Sequence, residues 1–243
     1  MRRFPDVLRG WVHGLRLLVR RASPNKRRVS ALAIGLALLG SVSYIAYIEH
    51  EKRSLRRAIA ELARDTGSRF HDALRTVADE GGSAQQRLDD HYFTIDRHLK
   101  RLRSMDTAPA QDLARAADDY MLTVREIAKR LASGHRYRAE VLETVRALQV
   151  HMGEDKRTGA WVTQAVQRRE RLRTEYRAYR LTSEALVGLL NDYASSRARL
   201  AQHIDSAFMP EDSMALAVRD LILKARQKIA EDVERAGALE TYR

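Results

Sequence analysis

Residues 29–48 show no alternation of polar and apolar positions. They read Val-Ser-Ala-Leu-Ala-Ile-Gly-Leu-Ala-Leu-Leu-Gly-Ser-Val-Ser-Tyr-Ile-Ala-Tyr-Ile, twenty residues without a charge. At about 1.5 Å per residue a helix of this length reaches about 30 Å, the thickness of a bilayer's hydrocarbon core. Within lipid only a helix satisfies all its backbone groups from a single segment. Lys26, Arg27 and Arg28 close the run on one side; Glu49, His50, Glu51, Lys52 and Arg53 close it on the other. Tyr44 and Tyr47 fall near the second end, where aromatic rings favour the headgroup boundary. The pattern predicts one transmembrane helix. A cleaved signal peptide ending at Ser41-Val42-Ser43 is the competing reading. It would need an unusually long leader, and the apolar residues run on past that cut to Ile48.

Beyond the run the pattern changes to helical periodicity. Leu55, Ile59, Leu62, Phe70, Ala73 and Val77 mark one amphipathic segment over 49–80, interrupted by Gly81-Gly82-Ser83. Leu88, Tyr92, Ile95, Leu99 and Leu102 mark a second over 84–104. Asp106-Thr107-Ala108-Pro109 reads as a stop and restart, an N-cap candidate followed by proline in the first turn. A third segment, 108–152, carries the seam Leu113, Ala117, Tyr120, Val124, Ile127, Leu131, Val141, Val145, Leu148 and Met152, with a kink or a break at Ser133-Gly134. After the polar stretch 153–159, a fourth runs over 160–208. Its seam is Val162, Ala165, Arg169, Leu172, Tyr176, Tyr179, Ser183, Leu186, Leu190, Tyr193, Arg197, Leu200, Ile204 and Ala207. Met209-Pro210-Glu211 stops it, since proline disfavours helix in the residue before it. A fifth segment starts at Pro210 and carries Met214, Val218, Leu221, Ile222, Ala225, Ile229 and Val233.

No window alternates with period two long enough for a strand, so the fold class is all-α: a single N-terminal transmembrane helix, then an elongated antiparallel helical bundle or coiled coil resembling a four-helix bundle. With Gly81-Gly82 as a hinge inside one long helix, the helices number four, in up-down-up-down order. Pairing of the long helices between chains is the alternative. The domains are 1–28, a basic arm; 29–48, the span; and 49–243, the bundle. In architecture, over about residues 49–240, the membrane-anchored bundle resembles the sensor domains of chemoreceptors and histidine kinases, although no motif carries the resemblance.

Charge fixes the expected orientation. The chain has a net charge of +12, of which +8 lies in residues 1–28, where nine Arg or Lys stand against Asp6 alone. The positive-inside rule then puts this arm in the cytoplasm and 49–243 outside it, in a single-pass protein of the plasma or inner membrane. Within the arm, Phe4, Val7, Leu8, Trp11, Val12, Leu15, Leu18 and Val19 recur at three- and four-residue spacing. Two readings stand. Either the arm is an amphipathic helix lying on anionic lipid through Arg9, Trp11, Arg16, Arg20, Arg21, Lys26, Arg27 and Arg28, or it is a positive tail that sets orientation only. The nearly balanced charge of the bundle argues against nucleic acid as a partner.

Chemistry is sparse. There is no cysteine among the 243 residues, which removes disulfides, thiolate nucleophiles and thiolate zinc sites. None of the eight histidines follows a glutamate at the spacing of carboxylate-bridged metal bundles, and the metalloprotease, phosphate-loop and nucleophile-elbow motifs are absent. His151 with Glu154 and Asp155 reads as a solvated helix terminus. No cofactor, metal or catalytic residue is expected. Arg169 and Arg197 occupy seam positions, with Tyr176, Tyr179 and Tyr193 along the same seam. Internal pairing in the core is the first expectation for the two arginines; a clamp for an anionic ligand is the second. The expected function is therefore a non-enzymatic membrane-anchored scaffold that binds protein partners or its own copies. A bundle that senses a small anionic ligand and signals through a partner membrane protein is the alternative.

Overall fold

The computed structural model describes residues 24–77, 83–155, 158–205 and 207–238, with side chains from Gly40 onward. Five α-helices are present among them: α1 (Pro24–Val77), α2 (Ala84–Arg103), α3 (Gln111–Met152), α4 (Gly159–Ala201) and α5 (Asp212–Ala238). A short 3-10 turn, Ala108–Ala110, leads into α3. No strand occurs among the described residues. The chain divides at Ser54 and Leu55 into two units.

In the first unit only part of the charge-free run is described in full. Residues 29–39 have helical backbone, and their side chains lie outside the described residues. Every residue from Gly40 to His50 is exposed. No helix among the described residues is long and apolar enough to cross a membrane. Residues 1–23, and with them the predicted surface helix of the arm and its Arg9, Trp11, Arg16, Arg20 and Arg21, also lie outside the described residues. The side chains of Lys26, Arg27 and Arg28 do too.

The second unit is a bundle whose helices alternate in direction. Thr66 of α1 meets His98 of α2, Asp96 of α2 meets Arg125 of α3, Thr144 of α3 meets Glu175 of α4, and Arg197 of α4 meets Asp212 of α5. Each later contact pairs a rising residue number with a falling one, as Arg103 with Asp118 and Gln85 with His135 show for α2 and α3. Every consecutive pair is therefore antiparallel. This corrects the four-helix arrangement with one long helix through Gly81-Gly82: α1 and α2 double back on one another.

The core falls into two clusters. The larger joins Ile59, Phe70, Ile95, Leu102, Tyr120, Val124, Ile127, Leu190, Tyr193 and Val218 from all five helices. The smaller joins Val141, Val145, Leu148, Leu172, Tyr179, Ile229 and Ala236 from α3, α4 and α5 alone. Five helices thus pack at one end of the bundle and three at the other. The long α3 and α4 run through both, and α3 is unbroken at Gly134, where a Cβ would meet only Thr182 at 3.7 Å.

Several boundaries differ from expectation. Helix α4 ends at Ala201, seven residues before Phe208, and α5 begins at Asp212 rather than Pro210. Past the stop, Phe208 lies against α1 at Gly67, where a Cβ would come within 2.9 Å of its ring and of its backbone oxygen. Ahead of α3, Asp106 accepts the Ala108 amide at 3.2 Å and Pro109 lies in the 3-10 turn, but no side chain caps the turn or the helix, and α3 begins at Gln111 rather than at Ala108. Thr158 caps α4, its hydroxyl accepting from the Trp161 amide at 3.2 Å.

Candidate functional site: the tyrosine and arginine seam

The predicted seam of α4 splits along its length. Tyr193 is fully buried, its ring 5.1 Å from Phe70 of α1 and 6.2 Å from Tyr120 of α3. Its hydroxyl donates to the Pro210 carbonyl at 2.8 Å, which ties the turn before α5 to the middle of the five-helix core. Burial raises the Tyr193 and Tyr120 hydroxyls well above the ordinary tyrosine range, so both stay neutral. The Tyr120 hydroxyl is buried without a hydrogen-bond partner among the described residues. One turn beyond Tyr193, Arg197 pairs with Asp212 at 3.4 Å, at the first residue of α5. The carboxylate sits where the helix dipole favours it, and the guanidinium neutralises it from α4. Arg197 is thus paired inside the bundle, while its buried Nε and the Asp212 Oδ1 have no hydrogen-bond partner among the described residues.

Towards the three-helix end, Tyr179 is buried and its hydroxyl is raised by burial, whereas Tyr176 and Arg169 are half-buried. Val162, predicted to be core, is 52% exposed. Polar contacts of α5 place Arg226 beside Glu184 and Arg219 beside Asn191, so residue numbers on the two helices sum to about 410. The last described residue of α5, Ala238, comes level with about residue 172 of α4, and Val162 lies beyond it.

Several groups that the sequence pattern does not single out hold the helices together. Asp96 of α2, nearly buried, receives Arg125 of α3 at 2.5 Å and Lys100 at 2.7 Å. The Lys100 ammonium, then Arg125, holds the Asp96 carboxyl below the ordinary range against the opposing effect of burial. Arg125 also pairs with Glu126 and lies 5.6 Å over the Tyr92 ring. At the end of α3, His151 is no solvated terminus: it is 2% exposed and stacks on Trp161 at 4.8 Å. The two residues exchange backbone bonds, Trp161 Nε1 donating to the His151 carbonyl and His151 Nε2 facing the Trp161 carbonyl, both at 2.9 Å. A carbonyl only accepts, so Nε2 carries the proton. The signal for this clasp was a lone tryptophan eight residues after a helix-terminal glycine, too little to read from periodicity.

An open cleft of about 330 Å³ lies beside Met105, Gln111 and Arg115. Its other guanidinium, Arg103, is committed to Asp118 through two bonds of 2.7 and 3.0 Å. No group of three metal-ligating side chains occurs among the described residues. Comparison with protein-family models, curated proteins and solved structures finds no match.

Proposed function

We propose that this is a membrane-anchored, non-enzymatic assembly protein, whose bundle binds partner proteins outside the cytoplasm. The observation that carries the reading is the surface of α1 over Gly40–Ile48. Val42, Tyr44, Ile45 and Tyr47 are 64%, 66%, 53% and 64% exposed. These positions point in all directions around a helix, so the segment is apolar on every side and is covered by none of the described residues. An apolar helix of this kind needs lipid or another protein around it. It continues the charge-free run 29–39, and the clustered basic residues before that run favour a cytoplasmic N-terminus.

The polar groups of the bundle brace it from within. Arg197, Arg103, Arg125 and Asp96 are all engaged with neighbouring helices, which is the behaviour of a rod that holds its shape. Alkaline carbonate extraction of membranes should leave the full chain in the pellet, and protease added outside intact cells should digest the bundle. Release of the intact protein into the carbonate supernatant would overturn the anchor. Chemical cross-linking in native membranes, yielding only the free monomer, would overturn the assembly role.

A further inference from the structure

Three half-buried histidines stand where α2 meets its neighbours: His91 and His98 on α2 itself, and His135 on α3. The Thr66 hydroxyl of α1 donates its one proton to the Leu62 carbonyl at 2.8 Å, so it accepts from His98 Nδ1 at 3.0 Å. In the first turn of α2, the Gln85 amide donates through Nε2 to Asp89 at 2.9 Å, which leaves its oxygen facing His135 Nδ1 at 3.2 Å. That oxygen only accepts, so His135 Nδ1 is the donor. Both rings therefore carry their neutral proton on Nδ1, and acid must add the second one at Nε2.

The surroundings resist that second proton. His98 faces Asp65 and Arg69 of α1 and Arg97 and Arg101 of its own helix. His91 faces Asp72 and Arg69 of α1 and Asp90 and Arg87 of its own helix. His135 faces Arg138 of α3 and Asp89 of α2. At all three rings burial is the largest influence and outweighs the nearby carboxylates, so the neutral form is favoured. The second half of α2 is fastened in another way. Asp96 pairs with Arg125 at 2.5 Å, and Arg103 with Asp118 at 2.7 and 3.0 Å, both joining α2 to α3. The Asp96 carboxyl is held below its ordinary range, so this fastening outlasts the pH range in which histidines titrate.

We propose that α2 is an acid-operated latch: protonation of His91, His98 and His135 releases its first half from α1 and α3, while the two ion pairs keep its second half on α3. The released state binds more protons than the docked one, so its population rises as the pH falls below the ordinary histidine value of 6.5. Release uncovers Leu88, which is 1% exposed when α2 is docked, and with it apolar surface that neutral pH keeps closed. The latch lies within the bundle and does not depend on the anchor.

Amide hydrogen exchange of the full chain in detergent micelles, expressed as protection relative to the intrinsic rate at each pH, reads such local opening at pH 7.5 and 5.5. Residues 88–92 should lose protection by about tenfold at the lower pH, while residues 99–103 of α2 and 141–148 of the three-helix core keep theirs. In H98N/H135N the asparagine amides take the place of the two Nδ1 donors and do not titrate. The loss at 88–92 should shrink there to about threefold, His91 alone remaining. An undiminished loss in that variant, or none in the unmodified chain, would overturn the proposal. So would a loss shared by 99–103, which means that α2 leaves whole, or by 141–148, which means that the bundle melts. Each protein is compared with itself at the two pH values, so a lower overall stability of the variant leaves the readout intact.

Discussion

Gly67 and Gly188 are both helical glycines, and the space around them differs. A Cβ at Gly67 would come within 2.9 Å of the Phe208 ring and of the Phe208 backbone oxygen, and 3.4 Å from the Tyr120 hydroxyl. A backbone oxygen cannot swing aside as a lysine tip can. Gly67→Ala gains about 1 kcal/mol of helix propensity and loses more, about 1–3 kcal/mol, to overpacking. At Gly188 a Cβ meets nothing within 4 Å, so Gly188→Ala keeps the propensity gain of about 0.5–1 kcal/mol. Thermal melts followed by circular dichroism should move in opposite directions for the two variants. Tyr193→Phe removes only the bond to Pro210 and should cost about 1 kcal/mol, while Tyr193→Ala also empties the space between Phe70 and Tyr120 and should cost about 3–5 kcal/mol. Equal losses in the two variants would show that the ring is not core.

At the scale of elements, the packing of α2 on its neighbours carries a pH dependence. His91 and His98 of α2 and His135 of α3 all have pKa values lowered from the ordinary 6.5, in each case chiefly by burial. For His91 and His98 the Asp72 and Asp65 carboxylates partly offset this; for His135 Arg138 adds to it. A base with a lowered folded pKa binds fewer protons in the native state than in the unfolded one, so stability is full above pH 6.5 and falls as the pH drops through the window below it. The melting temperature should therefore decline between pH 7.5 and 5.5, and less steeply in His98→Gln. Asp96 acts with the same sign in a lower window, since its lowered pKa gives stability that is present above the ordinary carboxyl value and lost only in acid below it. Asp96→Ala leaves Arg125 and Lys100 facing each other and should cost about 2–3 kcal/mol at neutral pH, less than a fully buried pair because Arg125 retains some solvent. Urea denaturation at pH 7 measures it.

For the whole molecule, the division at Ser54 and Leu55 separates an apolar helical segment from a bundle with its own core. The segment 55–243 alone should stay in the aqueous phase of a detergent partition and melt cooperatively, whereas the full chain should enter the detergent phase. Entry of both into the aqueous phase would remove the reason for the anchor.

The sequence by itself determined the helical class, the site of the α2–α3 and α3–α4 connections and most of the core, because each depends on local terms: an apolar period near 3.6, a proline in a first turn, and glycines that weaken a helix. It also placed Tyr193 and Arg197 on the inward side of α4. Only the tertiary structure decided that α1 and α2 fold back on each other, since a pair of glycines serves a hinge or a reversal equally well. It decided that α4 stops at Ala201, with Phe208 then packed on Gly67 more than a hundred residues away in the chain. And it decided that a single heptad stripe is core at Tyr193 and surface at Val162, because burial depends on which helices lie alongside, which no period within α4 encodes.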